Sequence, residues 1–166
     1  MKEFFESNDW FGRTGPFNDF LEYKIFYIIF AIAAVLTVFF LVKKKNPKLT
    51  KIALTTIWGI NLVFDMFKLY GLSVDGHFNV GGDMLLYICS LFLYAMPFAL
   101  WSKGKFKELA CNFVCTIGVF GAVMNFAFPG VIDTNSLFSF WGLHTTVYHL
   151  NLLFVPAIMI ATGYFK

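Results

Sequence analysis

Five strongly apolar runs separated by short charged segments constrain this chain more than any other feature of its sequence; four are uncharged, and the second contains Asp65 and Lys68. A helix needs about 20 apolar residues to cross the hydrocarbon core of a bilayer. The chain is 58% hydrophobic and only 14% charged, against roughly 25% charged residues in soluble domains, which excludes a soluble enzyme. We therefore predict an all-α, polytopic membrane helix bundle with spans at about 25–42, 52–72, 84–102, 109–132 and 138–162.

The basic residues predict the direction in which these spans cross the membrane. Nine of the thirteen lie in the linker 43–51, in the linker 103–107 and at Lys166, whereas acidic residues dominate the alternate segments. Because Lys and Arg of short loops concentrate on the cytoplasmic side, we expect the N-terminus outside and the C-terminus inside a cell membrane. The membrane also explains the positions of these charges, so nucleic acid is not an expected partner.

Aromatic and charged residues are interleaved in the segment 1–24, which precedes the first span. Such a mixture suits a segment that lies among the lipid headgroups. We predict an interfacial, amphipathic N-terminal segment, with a disordered tail as the alternative. The sequence has no internal repeat of the kind that builds many transporters, which makes a transporter less favoured.

Four side chains of the second span are predicted to share one helical face. Trp58, Asn61, Asp65 and Lys68 follow the spacing i, i+3, i+7, i+10. Ionisable groups within a membrane are costly and by default mark candidate functional sites. Two interpretations are open: an internal salt bridge between Asp65 and Lys68, or a polar pocket to which this face contributes.

Prolines and polar residues distinguish the third and fifth spans. Pro97 removes the hydrogen bond to the carbonyl of Leu93, and Pro156 removes that to the carbonyl of Leu152. The fifth span is the most polar of the five. Besides Asn61 and Asp65, the candidate pocket residues are Tyr87, Ser90, Tyr148 and Asn151, together with the histidines His144 and His149.

Cys89 is predicted at a depth similar to that of the two histidines. Counted from the outer ends of their spans, Cys89 and His144 each lie about 9 Å deep and His149 about 16 Å deep. A Cys–His nucleophile needs this arrangement, because the imidazole must take the proton of a thiol that is mostly protonated at neutral pH. A packing role for Cys89 is the alternative, and for Cys111 and Cys115 it is the expected one.

Three segments resemble a known family. They are 83–100, which contains a Leu-x-x-Cys-Ser pattern, then 112–129, and then 138–149, which ends at the start of a Tyr-His-x-x-Leu pattern. In these segments the chain resembles the YwaF-type bacterial integral membrane proteins. That family is related to the animal transmembrane-164 acyltransferase and, more distantly, to the androgen-induced-gene/FAR-type hydrolases of fatty-acid esters.

The resemblance implies Cys-dependent acyl transfer between lipids. Cys89 stands at the family's nucleophile position and His149 at its histidine position. His144 is the alternative base, because its His-Thr-Thr-Val string is similar to the histidine segment of the hydrolases. YwaF-type proteins are longer and carry further spans after the histidine helix. If those spans complete the site, this chain is a truncated or inactive relative.

The function predicted from the sequence is thus a membrane-embedded Cys–His lipid acyltransferase or lipid ester hydrolase with a thioester intermediate. Its expected partners are phospholipid or lysolipid substrates, and the sequence does not predict an oligomeric state. No cofactor and no metal are expected, because the His, Cys and Asp residues lack a recognised ligand spacing. The main alternative is a non-catalytic multi-pass protein, such as a carrier or channel component or an assembly subunit. Haem or quinone binding by His144 and His149 is less favoured, because an i, i+5 pair points in different directions.

Overall fold

The computed structural model describes residues 21–74, 90–127, 137 and 140–165. Within these ranges the chain consists of helices and short connections, so the predicted all-α class is confirmed. Most of the predicted interfacial segment, as well as Tyr87 and Cys89, lies outside the described residues. The helices are α1 (Leu21–Lys44), α2 (Pro47–Val74), α3 (Leu91–Trp101), α4 (Gly104–Phe113), α5 (Val119–Ala127) and α6 (Phe140–Ala161), with a π-helical turn (Val114–Gly118) joining α4 to α5.

Four helical stretches of the described chain are long and apolar enough to cross a bilayer. They are α1, α2, α6 and the continuous stretch Gly104–Asn125, which includes α4, the π-helical turn and most of α5. The remaining helix, α3, is apolar but has only 11 residues. Several helices extend beyond the apolar runs; α2, for example, begins five residues before its predicted span. This extension is expected because backbone hydrogen bonding does not stop where the apolar side chains end.

The junction between α1 and α2 is tight and well capped. The Oδ1 atom of Asn46 accepts hydrogen bonds from the backbone amides of Lys48 and Leu49, at 3.0 and 3.3 Å. Asn46 is therefore the N-cap of α2, and Pro47 occupies the first helical position, where its missing N–H group is harmless. Lys45, between the two helices, has a positive φ of 46°.

Helix α6 is the central element of the bundle. In the most apolar stretch of α6, 61% of the residues are buried inside the protein, compared with 6% in that of α1. It packs against α1, α2, α5 and the π-helical turn. In α1 only Tyr23 and Leu41 are buried, so α1 lies at the periphery and presents most of its surface to lipid. The polar residues of α6 therefore lie where several helices meet.

The carbonyl of Leu93, which Pro97 leaves without its donor within the helix, accepts a hydrogen bond from a neighbouring helix. Helix α3 continues through Pro97, and the indole Nε1–H of Trp58 donates to the carbonyl oxygen of Leu93 at 3.0 Å. The Trp58 ring also makes an edge contact with Trp101, with 5.5 Å between the ring centroids. Since an unsatisfied carbonyl is costly inside a membrane, this hydrogen bond fixes α2 against α3.

Candidate functional site

The polar face of α2 is directed toward α3 and α6. Asn61 and Asp65 are almost completely buried, with 0% and 2% of their surfaces exposed. Trp58 contacts α3 through the hydrogen bond to Leu93. These residues recur at helical spacing, so a single orientation of α2 directs all of them into the bundle.

Asp65 pairs with His144 of α6. The Nε2 atom of His144 lies 3.0 Å from Oδ1 of Asp65, and both side chains are buried. The Lys68 ammonium instead lies 5.8 Å from the centroid of the Trp141 ring, in a cation–π contact. Asp65 therefore contacts α6 instead of forming the internal salt bridge with Lys68, and the polar pocket stays a prediction. With Asp65 as the acceptor, the His144 Nε2–H is the donor, and the lone pair of a neutral ring is then on Nδ1.

Three aromatic rings pack around the imidazole of His144. Phe140 and Tyr148 stack on it, each with 5.7 Å between ring centroids, and Phe64 of α2 meets it edge-on. This stacking role of Phe140 and Tyr148 was not among the sequence predictions. Their spacing of four residues on either side of His144 is the signal that predicts it.

A second polar contact joins α2 to α6. The Nδ2 group of Asn151 donates to Oδ1 of Asn61 at 2.9 Å. Among the described residues, Nδ2 of Asn61 and Oδ2 of Asp65 have no hydrogen-bond partner. Leaving a buried polar group unsatisfied costs about 1–3 kcal/mol. These two atoms are therefore the groups on this face that could contact a further polar partner.

His149 has one ring nitrogen fixed by the backbone of its own helix. Its Nδ1 atom lies 2.7 Å from the carbonyl oxygen of Thr145, so Nδ1–H is the donor. The basic lone pair of the neutral ring is then on Nε2. The side chain is buried and meets the Tyr148 ring edge-on. Both histidines therefore have a defined tautomer, which is a requirement for proton transfer at a specific nitrogen.

The beginning of α3 contacts α6 next to His149. Ser90 is buried, and its carbonyl accepts the amide of Leu93 at 3.0 Å in the first turn of the helix. The ring of Phe92 packs edge-on against Tyr148, with 6.4 Å between the centroids. Cys89, the candidate nucleophile, is the residue immediately before Ser90.

The other two cysteines belong to the packed part of the bundle. Cys111 is fully buried in the hydrophobic core, and Cys115, in the π-helical turn, packs against the same core. Both are free thiols. In the part of the chain that the structure describes, no group of three or more His, Cys, Asp or Glu side chains is placed to hold a metal ion.

One neighbour of this polar region comes from α1 and was not singled out in the sequence. The side chain of Tyr27 lies close to Thr146, which is fully buried on α6. A tyrosine in an apolar span gives little signal by itself, because its partner is far away in the sequence. The polar region of α6 thus includes the side of the helix that faces α1, in addition to the side that faces α2.

Comparison with known proteins gives one match. A protein-family model described as the TMEM164 family matches residues 17–166. No curated protein and no solved structure matches the chain. The matched range contains all six helices and the candidate residues Cys89, His144 and His149. The predicted relation to the transmembrane-164 proteins is thereby confirmed, whereas the links to the YwaF-type proteins and to the hydrolases stay predictions.

Proposed function

Because the chain belongs to the TMEM164 family and is a multi-pass integral membrane protein, we propose that it transfers or hydrolyses lipid acyl groups. Cys89 is the nucleophile and His149 the base. The observation that carries the proposal is the contact between Phe92 and Tyr148. Phe92 follows Cys89 by three residues, and Tyr148 directly precedes His149. Each of the two packed rings is therefore close in sequence to one of the two reacting groups.

The proposed reaction has two half-reactions. In the first, Nε2 of His149 takes the proton of the Cys89 thiol, and the thiolate attacks the carbonyl carbon of a lipid ester. Collapse of the tetrahedral intermediate expels the lysolipid alkoxide, which takes the proton from the imidazolium. In the second, the hydroxyl of a lysolipid acceptor, or water, loses its proton to His149 and attacks the thioester. The products are an acylated lipid or a free fatty acid, together with the regenerated thiol.

Ser90 and His149 are both buried, which explains why a fixed histidine is needed. Apolar surroundings disfavour the thiolate, so a thiol in this region needs a nearby proton acceptor. The hydrogen bond from Nδ1 of His149 to the Thr145 carbonyl keeps the lone pair on Nε2. On the α2–α6 face, Nδ2 of Asn61 lacks a partner among the described residues, whereas Nδ2 of Asn151 is engaged. This difference favours Asn61 as the donor to the developing oxyanion.

His144 is the competing base in the same mechanism. Its pairing with Asp65 resembles the carboxylate–imidazole pair of catalytic triads, in which the acid orients the base. In that version Nδ1 of His144 receives the thiol proton. The two versions differ in which single histidine the reaction requires, and separate substitutions distinguish them.

A specific observation also favours a non-catalytic alternative. The Asp65–His144 and Asn61–Asn151 contacts pair polar groups directly between α2 and α6. Such hydrogen bonds between membrane helices stabilise bundles without any chemistry. In this alternative the chain is a carrier or channel component or an assembly subunit, and its polar residues serve packing.

An acyl-exchange assay distinguishes these functions. The purified full chain is reconstituted in vesicles of phosphatidylethanolamine and phosphatidylglycerol that contain an isotope-labelled lysophospholipid. The labelled diacyl product of transfer and the free fatty acid released by hydrolysis are both measured by mass spectrometry. We expect product with the native chain and with Cys111→Ser, and none with Cys89→Ser. Equal product from Cys89→Ser, or none from the native chain, would refute the proposal and favour the packing role.

A further inference from the structure

A polar cavity lies at the end of the bundle where α1 ends, α2 begins and α6 ends. It has a volume of about 370 Å³. Its walls include Lys45, Asn46 and Thr50 from the α1–α2 junction, and Thr162 and Tyr164 from the residues after α6. None of the described residues that line it is acidic. The cavity therefore presents one positive charge and several hydrogen-bonding groups at the lysine-rich end of the protein.

An apolar groove runs along the seam between α1 and α6. It has a volume of about 690 Å³ and is lined by side chains between Phe30 and Val42 on α1 and between Leu150 and Ala157 on α6. At 1.5 Å per residue the α1 side is about 18 Å long, slightly more than half of the roughly 30 Å hydrocarbon core. Its length therefore corresponds to the acyl region of one leaflet.

The cavity and the groove share one lining residue. Val42 lines both of them, at the point where the wall changes from apolar to polar. The groove owes part of its depth to small side chains, including Ala34 on α1 and Ala157 on α6. A molecule that fills both spaces needs a polar, preferably anionic, end and an apolar tail of leaflet length. A phospholipid of the adjacent leaflet has this shape.

The backbone of Lys45 gives an independent indication. Its φ of 46° lies in the left-handed region, which the residue after a helix often adopts but usually as glycine or asparagine. A lysine in this conformation is disfavoured by about 1–2 kcal/mol. Lys45 thus places a charged side chain at the cavity, at a backbone position where glycine or asparagine would be less strained.

We propose that the α1–α6 seam binds one anionic phospholipid, with its phosphate beside Lys45 and one acyl chain in the groove. Asn46 supports the headgroup with its amide NH₂ group, because its Oδ1 atom is engaged in capping α2. The headgroup end of this site is separate from the Asp65–His144 pair, since the end of α6 lies about 25 Å along the helix from His144. It does not depend on the proposed acyl transfer.

Photolabelling of the reconstituted full chain tests this site. The vesicles consist of phosphatidylcholine with a minor fraction of phosphatidylglycerol that carries a diazirine in one acyl chain, and peptide mass spectrometry locates the adducts. Lys45→Asn removes the charge and keeps a residue that tolerates positive φ. Its matched control is Lys48→Asn, an exposed lysine of the same linker that does not line the cavity. Ala34→Trp fills the groove, and Ala33→Trp adds the same ring to a neighbouring exposed position outside it.

We expect adducts on both walls of the groove, at 30–42 and at 150–157. Lys45→Asn should reduce them about fivefold, because one lysine near the headgroups contributes roughly this factor. Ala34→Trp should abolish them, and both control variants should label like the native chain. Adducts spread evenly over the lipid-facing surface would overturn the proposal. Equal labelling in Lys45→Asn and Lys48→Asn, or equal labelling by a diazirine phosphatidylcholine, would do so as well.

Discussion

The imidazole of His144 donates to the carboxylate of Asp65 across 3.0 Å, joining two helices whose residues are 79 positions apart in sequence. Removal of one partner leaves the other buried without its hydrogen bond. We expect Asp65→Leu to lower the free energy of unfolding by about 3 kcal/mol. Reversible unfolding in mixed micelles measures this change.

A double-mutant cycle shows whether the pair itself is responsible. Asp65→Leu combined with His144→Phe replaces both polar groups by apolar ones, so the double variant should be more stable than the sum of the two single changes predicts. Lys68→Met is the control and should change stability by only about 1 kcal/mol, the size of a half-buried cation–π contact. Strictly additive single effects would contradict a direct Asp65–His144 interaction.

The hydrogen bond from Trp58 to the Leu93 carbonyl depends on Pro97. We expect Trp58→Phe to destabilise the protein by about 1–2 kcal/mol, because it leaves that carbonyl unsatisfied. In a Pro97→Ala background the new backbone amide can donate to Leu93, so the same substitution should cost clearly less. Trp101→Phe keeps the aromatic contact and serves as the control. An equal cost of Trp58→Phe in both backgrounds would contradict this account.

The two histidines should differ in their effect on catalysis. If His149 is the base, His149→Ala should lower acyl exchange by about 10²–10⁴-fold, the usual contribution of general acid–base catalysis. His144→Phe keeps a ring between Phe140 and Tyr148 and should retain most of the activity. The opposite order in the vesicle assay would assign the base to His144 with Asp65 as its orienting acid.

The orientation in the membrane can be measured with reporter fusions. From the distribution of lysines we expect a fusion after Lys166 to behave as cytoplasmic and a fusion after Asp133 as external. The polar cavity beside Lys45 would then face the cytoplasmic leaflet. A cytoplasmic reporter at Asp133 would reverse the bundle and place that cavity in the outer leaflet.

The shared face of α2 could be predicted from the sequence, but its partners could not. Helical periodicity fixes the direction of Asn61 and Asp65 relative to each other on their own helix. The choice between His144 and Lys68 as the partner of Asp65 depends on how α2 and α6 cross, which local spacing does not encode. For this reason the sequence alone does not identify the partner of Asp65.

The effects of proline likewise have one part that the sequence predicts and another that depends on how the helices pack. Pro97 predicts that the Leu93 carbonyl loses its helical donor, because this follows from the chemistry of proline alone. That Trp58 supplies a new donor depends on the packing of α2 against α3. The π-helical turn Val114–Gly118 was also not predicted, since no proline or charged residue marks it.

The central claim is that Cys89 carries the acyl group, and intact-protein mass spectrometry tests it most directly. The native chain is incubated in phospholipid vesicles without acceptor, quenched in acid and weighed before and after treatment with hydroxylamine, which cleaves thioesters. We predict one acyl adduct that hydroxylamine removes, that maps to Cys89 and that persists in the double variant Cys111→Ser/Cys115→Ser. An adduct on Cys111 or Cys115, or no adduct on a chain that still exchanges acyl groups, would contradict the account.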